Sequence, residues 1–418
     1  MSGCGAEKGL ISIDEALSLI QTVPKALSTE SLPLAECLNR YLAQAVYSAV
    51  NLPSFSQSAV DGYAIHSSLE NMQDTIFEVV GEIKAGSESN HQLADGQAIR
   101  IFTGGKVPDG TTHVARQEIV KLEADQKIRL LENIKPQADI RFTGEEVQQG
   151  QQLADIGQKI NIGALAALSM AGIQTIDVFR SPKVAVVITG DEVAESPEDL
   201  QVGKVFDANG PLLKAWFNDY GIEVEILHIA DEAEQVTQCF ERLKQQYDLI
   251  ITSGGVSVGD YDFVRPCAFE TGFKQIFWKV KQKPGKPLFF AEYTEYTESI
   301  QDVHSDRHCY LLGLPGNPAA VYVSMQIYGK ALLDALQNQR QPLQWFSAIL
   351  MHELNSDARE RFLRMHAYFE QGELKLQSLA KQQSHMLSNL MHANSLVRIP
   401  ANIKLDAGQE VSGIFISN

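Results

Sequence analysis

The residues from 249 to 262 decide the fold of the central part of this chain. They read Leu-Ile-Ile-Thr-Ser-Gly-Gly-Val-Ser-Val-Gly-Asp-Tyr-Asp. An apolar run leads into a glycine-rich turn, and a helical pattern follows over 263–270. A continuous apolar run bounded by turn residues is typical of a strand that is buried on both faces of a sheet. The stretch therefore predicts a strand, a tight turn and a helix in succession.

The same alternation continues on both sides of this stretch. Apolar runs and helical patterns follow one another over 184–189, 211–220, 224–229, 232–246, 310–314 and 319–337. Apolar strands that alternate with amphipathic helices indicate a mostly parallel sheet covered on both faces. We therefore predict a doubly wound α/β domain over 181–340, with ligands beyond the carboxyl ends of its strands.

Three further domains are expected outside the α/β domain. Residues 51–140 contain short β-like runs between turn residues, which predicts an all-β insert. Residues 1–50 and 141–180 carry helical patterns at 12–23, 34–45 and 162–171, so we predict one discontinuous helical N-terminal domain. Residues 341–418 return to strands and predict a C-terminal β-barrel-like domain. The polar segment 292–308 is expected to form an extended loop or a hairpin.

Composition excludes several classes of protein. With 418 residues, 44% of them hydrophobic, the chain is too large for a disulfide-stapled module and too apolar for a disordered protein. A net charge of −17 argues against a nucleic-acid or anionic-membrane binder. The longest apolar stretch, 162–173, is far short of the roughly 18 residues of a membrane span. The start lacks the features of a signal peptide, so we expect a cytoplasmic protein with reduced cysteines.

The glycine-rich turn is the first candidate site. Adjacent glycines let backbone N–H groups approach an anion closely, and serine hydroxyls add donors before the N-terminus of a helix. The candidate phosphate-binding residues are Ser253, Gly254, Gly255, Ser257 and Gly259. The alternative is a tight turn that binds no ligand.

Carboxylates follow two of the predicted strands. Asp191 and Glu192 come after the first strand of the sheet, and Asp262 ends the glycine-rich turn. One or two carboxylates beside a phosphate site suit Mg²⁺. The alternative is that Asp191 and Glu192 only stabilise the start of a helix.

The segment Pro315-Gly316-Asn317-Pro318 lies between the last strand of the sheet and a helix. Its two prolines hold the turn rigid, as a wall against a flat or phosphorylated ligand would require. The alternative is a rigid turn with Pro318 at a helix start.

Five lysines lie between 274 and 286 without an acidic residue among them: Lys274, Lys279, Lys281, Lys283 and Lys286. If the segment is a strand, Lys279, Lys281 and Lys283 point to one face and form a positive patch. The alternative is an edge strand that its lysines protect from pairing.

Two residues of the all-β insert are weaker candidates. Asp61 lies in a serine- and glycine-rich turn, and Thr103 follows a short strand ahead of two glycines. Their spacing alone favours an architectural role in turns.

Taken in order, nine segments of the sequence resemble the MoeA family, the molybdopterin molybdenumtransferases, which are related to the E domain of gephyrin. The resemblance covers essentially the whole chain. It rests on PSFSQSAVDGYA at 53–64, RIFTGG at 100–105, RFTGE at 141–145, TGDE at 189–192, FDANG at 206–210, the turn 253–262, KPGKP at 283–287, PGNP at 315–318 and RERFLR at 359–364.

The resemblance implies a molybdenum insertase that acts on adenylylated molybdopterin and releases AMP with the help of Mg²⁺. The central domain would be MogA-like and hold the nucleotide and molybdopterin on the glycine-rich turn and on Pro315, Gly316, Asn317 and Pro318. Glu192 and Asp262 would hold Mg²⁺. The substrate molybdate would be drawn to Lys279, Lys283, Lys286, Arg359 and Arg364.

The resemblance also implies a homodimer whose active site is shared between the subunits, with Asp61 and Thr103 facing the nucleotide domain of the other chain. The expected catalytic set is Asp61, Thr103, Glu192, Asp262, Lys279 and Lys283. A molybdopterin adenylyltransferase is the expected partner protein.

Two alternative functions stay open at this point. A molybdopterin adenylyltransferase would share the glycine-rich turn, and a non-catalytic scaffold of the gephyrin type would share the whole fold. The first 180 residues and the C-terminal domain favour the insertase, because an adenylyltransferase needs the central domain alone.

Overall fold

The computed structural model describes residues 9–87, 91–190, 193–194, 202–257, 262–296 and 307–416. The chain divides into two compact units. The larger unit contains Met1–Glu30 and Phe179–Asn418, and the smaller contains Ser31–Val178. The finer division into four domains stays a prediction.

Helices occur in both units. They are α1 (Ile13–Thr22), α2 (Ile162–Met170), α3 (Asn209–Asp219), α4 (Ala233–Leu243), α5 (Val264–Glu270), α6 (Pro318–Ser324) and α7 (Lys330–Leu336), and a π-helical turn, Met325–Gly329, connects α6 to α7. Ser12 caps α1, because its hydroxyl accepts a hydrogen bond from the Glu15 N–H at 3.1 Å. The predicted first helix is thus confirmed.

The helix predicted over 34–45 is wrong. Only Leu34–Glu36 forms a short 3₁₀ turn. Asn39 then takes a left-handed conformation with φ of 66°, which no helix interior allows. Beyond it, Leu42 makes a β-bridge to Val178. Long-range pairing therefore overrides the local helical pattern.

The smaller unit is built mainly from β-strands. Its six-stranded sheet has the order β7-β4-β6-β5-β9-β8. The strands are β4 (Gly62–Ile65), β5 (Ile76–Ile83), β6 (Gln97–Ile101), β7 (His113–Arg116), β8 (Val120–Glu123) and β9 (Lys127–Leu130). Shorter strands of the chain up to residue 179 are β1 (Thr29–Pro33), β2 (Val46–Tyr47), β3 (Gln57–Ser58), β10 (Ile140–Arg141), β11 (Gln152–Ala154) and β12 (Thr175–Phe179).

The larger unit contains the predicted doubly wound sheet. Its order is β16-β13-β17-β21-β20-β18. The first four strands are parallel, and β20 runs antiparallel to both of its neighbours, β21 and β18. The strands are β13 (Val184–Thr189), β16 (Val224–Ile229), β17 (Leu249–Ser253), β18 (Lys274–Trp278), β20 (Phe289–Glu295) and β21 (Arg307–Leu314). Two short strands, β14 (Val193–Ala194) and β15 (Val205–Phe206), pair with each other.

Alternate residues of β13 face the two sides of this sheet. Val184, Val186 and Ile188 belong to the core on the side of α1, α3, α6 and α7, whereas Ala185 and Val187 belong to the core on the side of α4 and α5. All five residues are buried. The strand is therefore apolar throughout, as a strand covered on both faces must be.

The polar segment 292–308 belongs to a hairpin. β20 and β21 pair antiparallel from Phe289 opposite Gly313 to Glu295 opposite Arg307. Residues 297–306 lie outside the described residues. The described ends of the segment, 292–295 and 307–308, therefore pair as the arms of a hairpin.

The C-terminal strands close into the predicted barrel. They are β22 (Phe346–Leu350), β23 (Glu360–Glu370), β24 (Glu373–Ser378), β25 (Ser395–Ile399) and β26 (Glu410–Phe415). Their order is β23-β24-β22-β26-β25, and β25 pairs again with β23. A short strand of the central region, β19 (Gln282–Lys283), pairs with the start of β23. Within the described part of the chain, no helix is long and apolar enough to cross a membrane.

Candidate active site

Three loops of the α/β domain start at one edge of its sheet. In the strand register Ile188 lies opposite Ser253, and Ser253 lies opposite Leu314. The parallel strands β13, β17 and β21 therefore end side by side. This brings the glycine-rich turn next to the Pro315–Pro318 segment, as expected for the carboxyl edge of such a sheet.

The glycines of the turn are required by its geometry. Gly254 has φ of 99°, and a Cβ at this position would lie 2.6 Å from Thr189 Oγ1 and 2.8 Å from the Thr189 carbonyl oxygen. Gly255 has φ of 64° and would bring a Cβ to 2.8 Å from Val264 Cγ2. Only glycine fits both the left-handed backbone and these close contacts, which Gly254 makes with β13 and Gly255 makes with α5.

Gly254→Ala is expected to disrupt this turn. A side chain in the left-handed region costs about 1–2 kcal/mol by itself, and the clash with Thr189 comes in addition. We expect lower thermal stability and at least a tenfold loss of affinity for AMP, the nucleotide that the resemblance implies for this turn, measured by calorimetry.

Gly372→Ala is the matched control, because Gly372 has φ of 84° but a Cβ added there would meet no atom within 4 Å. It should cost the backbone strain alone and leave AMP binding unchanged. Equal effects of the two substitutions on AMP affinity would contradict the steric argument.

Two adjoining cavities open at this edge. The first, here named the cation cavity, has a volume of about 340 Å³. Nine of the candidate residues named from the sequence line it: Gly255, Ser257, Asp262, Lys283, Lys286, Pro315, Gly316, Asn317 and Arg359. The second, here named the glycine-turn cavity, has a volume of about 730 Å³. The candidate residues from the sequence that line it are Ser253, Gly254, Gly255, Asp262, Gly316, Asn317 and Pro318.

Asp262 occupies a special place, because it lines both cavities. Gly255, Gly316 and Asn317 are the other predicted residues that the two cavities share. The carboxylate thus lies where a ligand that spans both cavities would pass.

Pairing of a short strand of the central region with the barrel brings basic residues together at the cation cavity. β19 places Lys283 opposite Arg361 of β23. The Lys283 ammonium donates to the Asp357 carboxylate at 2.8 Å, and this hydrogen bond lowers the pKa of Asp357. The Arg359 guanidinium donates to the Gln282 carbonyl at 3.4 Å. Lys283 is half exposed, so its charge remains accessible.

The lysines do not form a single strand, and the period-two prediction is wrong. β18 ends at Trp278, and Lys279 has a left-handed conformation with φ of 70°. Lys279 is buried, and its ammonium lies 4.1 Å from the centre of the Trp278 ring. It lines neither cavity. Its catalytic role stays a prediction.

Arg364 lies behind the cavity wall and not in it. Its side chain is fully buried, and burial lowers its pKa to about 10. The guanidinium donates to the carbonyls of Lys381 and Gln383 at 3.1 Å and also to that of Met386. These contacts hold the segment 381–386. A direct role of Arg364 in substrate binding stays a prediction.

Asp61 and Thr103 form an exposed pair in the smaller unit. Gly62 of β4 lies opposite Ile101 of β6, so the residues that flank these strands are neighbours. The Asp61 carboxylate accepts hydrogen bonds from the Thr103 backbone N–H and hydroxyl, both at 2.8 Å. Both bonds lower the pKa of Asp61. The pair is an ordered, negatively charged feature of the surface.

Several lining residues were not predicted from the sequence. Gln382, Gln383 and Ser384 of the barrel line the cation cavity, and Asn209 and His385 line the glycine-turn cavity. Asn209 entered the sequence analysis only as part of the segment 206–210 that is similar to the MoeA family, and no role was predicted for it. The barrel residues carry no local signal, because their place depends on the docking of one domain on another.

Some predicted residues cannot be placed. Asp191, Glu192 and Gly259 lie outside the described residues. In the described ranges no group of three or more His, Cys, Asp and Glu side chains is arranged to hold a metal ion. Asp262, with the amide of Asn317 and the hydroxyl of Ser257 in the same cavity, supplies oxygen donors. This set fits Mg²⁺, which takes few protein carboxylates and completes its shell with phosphates and water.

Family comparisons cover nearly the whole chain. The model of the "MoeA N-terminal region (domain I and II)" matches residues 11–172, that of the "Probable molybdopterin binding domain" matches 185–335, and that of the "MoeA C-terminal region (domain IV)" matches 347–416. A molybdopterin molybdenumtransferase of Haemophilus influenzae is 34% identical over 93% of this chain and 94% of its own length. This chain belongs to the MoeA family.

Other members of the MoeA family agree with this assignment. A molybdopterin molybdenumtransferase of Staphylococcus epidermidis is 30% identical over 94% of this chain and 92% of its own length. The crystal structure of a molybdopterin biosynthesis moeA protein from Pyrococcus horikoshii OT3 matches with a TM-score of 0.79 at 25% identity, covering 97% of this chain and 100% of that chain. The predicted MoeA resemblance and the multidomain α/β and β fold are confirmed.

Proposed function

We propose that this chain inserts molybdate into adenylylated molybdopterin and releases AMP in a Mg²⁺-dependent reaction. Its membership of the MoeA family makes it an enzyme of molybdenum cofactor synthesis. The observation that carries the detailed proposal is the cation cavity. It joins Lys283, Lys286 and Arg359 to the glycine-rich turn and to Asp262.

The basic residues suit an oxyanion substrate. Lys283, Lys286 and Arg359 attract molybdate and orient its oxygens by charge-assisted hydrogen bonds. The two dithiol sulfurs of the pterin then replace two oxo ligands of molybdenum, which leave as two water molecules after taking up the two thiol protons and two protons from solvent. One water molecule is consumed when the bond between the two phosphates is hydrolysed and AMP leaves. The protein makes no covalent bond in this scheme, and its contribution is to position two anions that would otherwise repel each other.

The glycine-turn cavity suits the adenylate half of the substrate. Ser253 and the backbone N–H of Gly255 bind phosphate oxygens, whereas the Gly254 N–H donates to the Leu314 carbonyl at 3.2 Å. Asp262 and Glu192 would hold Mg²⁺, which neutralises phosphate charge and favours departure of AMP. Asp262 lies at the border of the two cavities, so it connects the phosphate with the site of molybdate.

We further propose that the active site is shared between the two chains of a homodimer, to which Asp61 and Thr103 contribute from the second chain. The exposure and ordered hydrogen bonds of this pair support a role outside its own unit. We place the enzyme in the cytoplasm, with a molybdopterin adenylyltransferase as the partner that supplies its substrate.

The extent of the family matches supports the insertase over the adenylyltransferase. An adenylyltransferase needs only a domain such as 185–335, whereas models of both flanking MoeA regions match 11–172 and 347–416. A scaffold would not need three basic side chains and a carboxylate that line the same cavity.

One reconstitution tests the proposal. Purified protein is incubated with adenylylated molybdopterin, molybdate and Mg²⁺, and AMP is quantified together with reconstitution of a cofactor-free molybdoenzyme. We expect both products to depend on molybdate and on Mg²⁺. Absence of AMP release would overturn the proposal. Synthesis of adenylylated molybdopterin from ATP and molybdopterin would instead identify an adenylyltransferase.

A further inference from the structure

The side chain of Asn209 connects two loops of the glycine-turn cavity. Asn209 is the first residue of α3 and lies beside the cavity. Its amide nitrogen donates to the Ser253 hydroxyl and to the Gly316 carbonyl, both at 2.8 Å. One amide group therefore joins the end of β17 to the turn after β21.

The Gly316 carbonyl determines the orientation of this amide. A carbonyl oxygen can only accept a hydrogen bond, so the nitrogen of Asn209 must face it. The reversed amide would place two acceptors against each other. In the observed orientation Asn209 Oδ1 is buried without a partner among the described residues, which normally costs about 1–3 kcal/mol. The two hydrogen bonds that the amide nitrogen donates offset this cost.

The orientation of Asn209 in turn determines what Ser253 can do. Because the Ser253 oxygen accepts from Asn209, its proton points elsewhere. Among the described residues that proton has no acceptor, although Ser253 is buried and lines the cavity. A buried donor without a partner suits an anionic oxygen of a ligand.

The backbone around Asn209 is itself well anchored. The Asp207 carboxylate accepts from the N–H groups of Asn209 and Gly210 at 2.8 and 2.9 Å. His228 Nε2 lies 3.0 Å from the other oxygen of the same carboxylate. A Cβ at Gly210 would lie only 2.3 Å from Asp207 Oδ2, so a side chain there would displace the carboxylate that anchors the turn. The amide of Asn209 is thus presented from a rigid position.

We propose that Asn209 is a positioning residue that directs the Ser253 hydroxyl proton toward a phosphate oxygen of the ligand and keeps the two turns at their separation. The ligand class is a nucleoside monophosphate or its ester, and the phosphate is the part that the arrangement recognises. This inference rests on the proposed function, in which the substrate carries an adenylate group.

Binding of AMP and of adenosine to the full chain, measured by calorimetry, tests the proposal. Four proteins are compared: the wild type, Ser253→Ala, Asn209→Asp and the double variant. In Asn209→Asp the carboxylate accepts the Ser253 proton and removes it from the ligand. We expect Ser253→Ala to weaken AMP binding about fivefold and Asn209→Asp at least tenfold, with adenosine binding unchanged within twofold.

The double variant separates hydrogen-bond direction from simple charge repulsion. If Asn209 directs the proton, Ser253→Ala should weaken AMP binding by less than twofold in the Asn209→Asp background. An equal factor in both backgrounds would overturn the proposal, as would equal losses for AMP and adenosine. If Asn209→Asp does not fold, Asn209→Ala takes its place. In the Asn209→Ala background, Ser253→Ala should then weaken AMP binding by less than half the factor that it costs in the wild type.

Asn218→Asp is the matched control, because Asn218 is exposed near the other end of α3. It should leave AMP affinity within twofold of the wild type. A wild-type chain that binds neither AMP nor adenylylated molybdopterin overturns the proposed function and this inference together. A wild-type chain that binds AMP, but with independent effects of the two substitutions, overturns the inference alone.

Discussion

Asp262→Asn is expected to lower the rate of molybdate-dependent AMP release by 100-fold or more, which corresponds to about 2.7 kcal/mol in the activation free energy. The asparagine keeps the shape of the side chain but removes its charge and one metal-binding oxygen. Among the described residues Asp262 is the one carboxylate that lines both cavities, since Asp207 and Asp231 line the glycine-turn cavity alone. Mg²⁺ binds carboxylate oxygens in preference to amides at such sites. The Mg²⁺ concentration for half-maximal rate should therefore rise as well.

Steady-state AMP release over a Mg²⁺ titration measures this effect. Asp219→Asn provides the control, because it makes the same chemical change at an exposed residue, the last of α3. It should keep the wild-type rate within twofold. An Asp262→Asn enzyme that retains a third of the wild-type rate with an unchanged Mg²⁺ requirement would remove Asp262 from the proposed metal site.

Arg364→Met is expected to be the most damaging substitution outside the cavities. Methionine fills a similar volume but removes one donor from each of the carbonyls of Lys381, Gln383 and Met386. The Lys381 carbonyl keeps the Asn389 side-chain amide as a donor and the Gln383 carbonyl keeps the Met386 N–H, whereas the Met386 carbonyl has no second donor among the described residues. An acceptor that loses its partner costs about 1–3 kcal/mol, so we expect a loss of stability in that range. The segment that carries Gln382 and Ser384 should then loosen, and AMP release should fall at least tenfold.

Hydrogen exchange followed by mass spectrometry measures the local part of this effect. Peptides over 381–387 should exchange at least tenfold faster in Arg364→Met, whereas peptides of the α/β sheet should be unchanged. Lys404→Met is the control, because Lys404 is an exposed residue of the same barrel whose ion pairs with Glu353 and Asp406 are worth little. Unchanged exchange over 381–387 in Arg364→Met would contradict the positioning role.

Residues with strong local signals were predictable. The apolar run of β13 and the glycines after β17 reflect burial on two faces and a left-handed turn, which local sequence shows directly. The cap of α1 by Ser12 belongs to the same class. In each case the physical cause acts within a few residues.

The predictions that were wrong concern segments whose conformation is set by contacts with distant parts of the chain. The 34–45 segment has a helical pattern, but its Leu42 pairs with Val178, far away in the chain. Lys279 fits a strand pattern, but the chain leaves the strand at Trp278. Long-range contacts override weak local preferences in both places, and period-two or helical spacing cannot reveal them.

The sequence by itself determined the fold class, the family and most residues of the candidate site, because strand burial and glycine-rich turns depend on short-range order. Only the tertiary structure decided how those residues act. It placed Asp262 between two cavities, moved Arg364 behind the wall that it supports, and joined Ser253 to Gly316 through Asn209. These roles depend on contacts between residues 17 to 107 positions apart, and such contacts form only once the strands, helices and turns of the α/β domain and of the barrel domain have each folded.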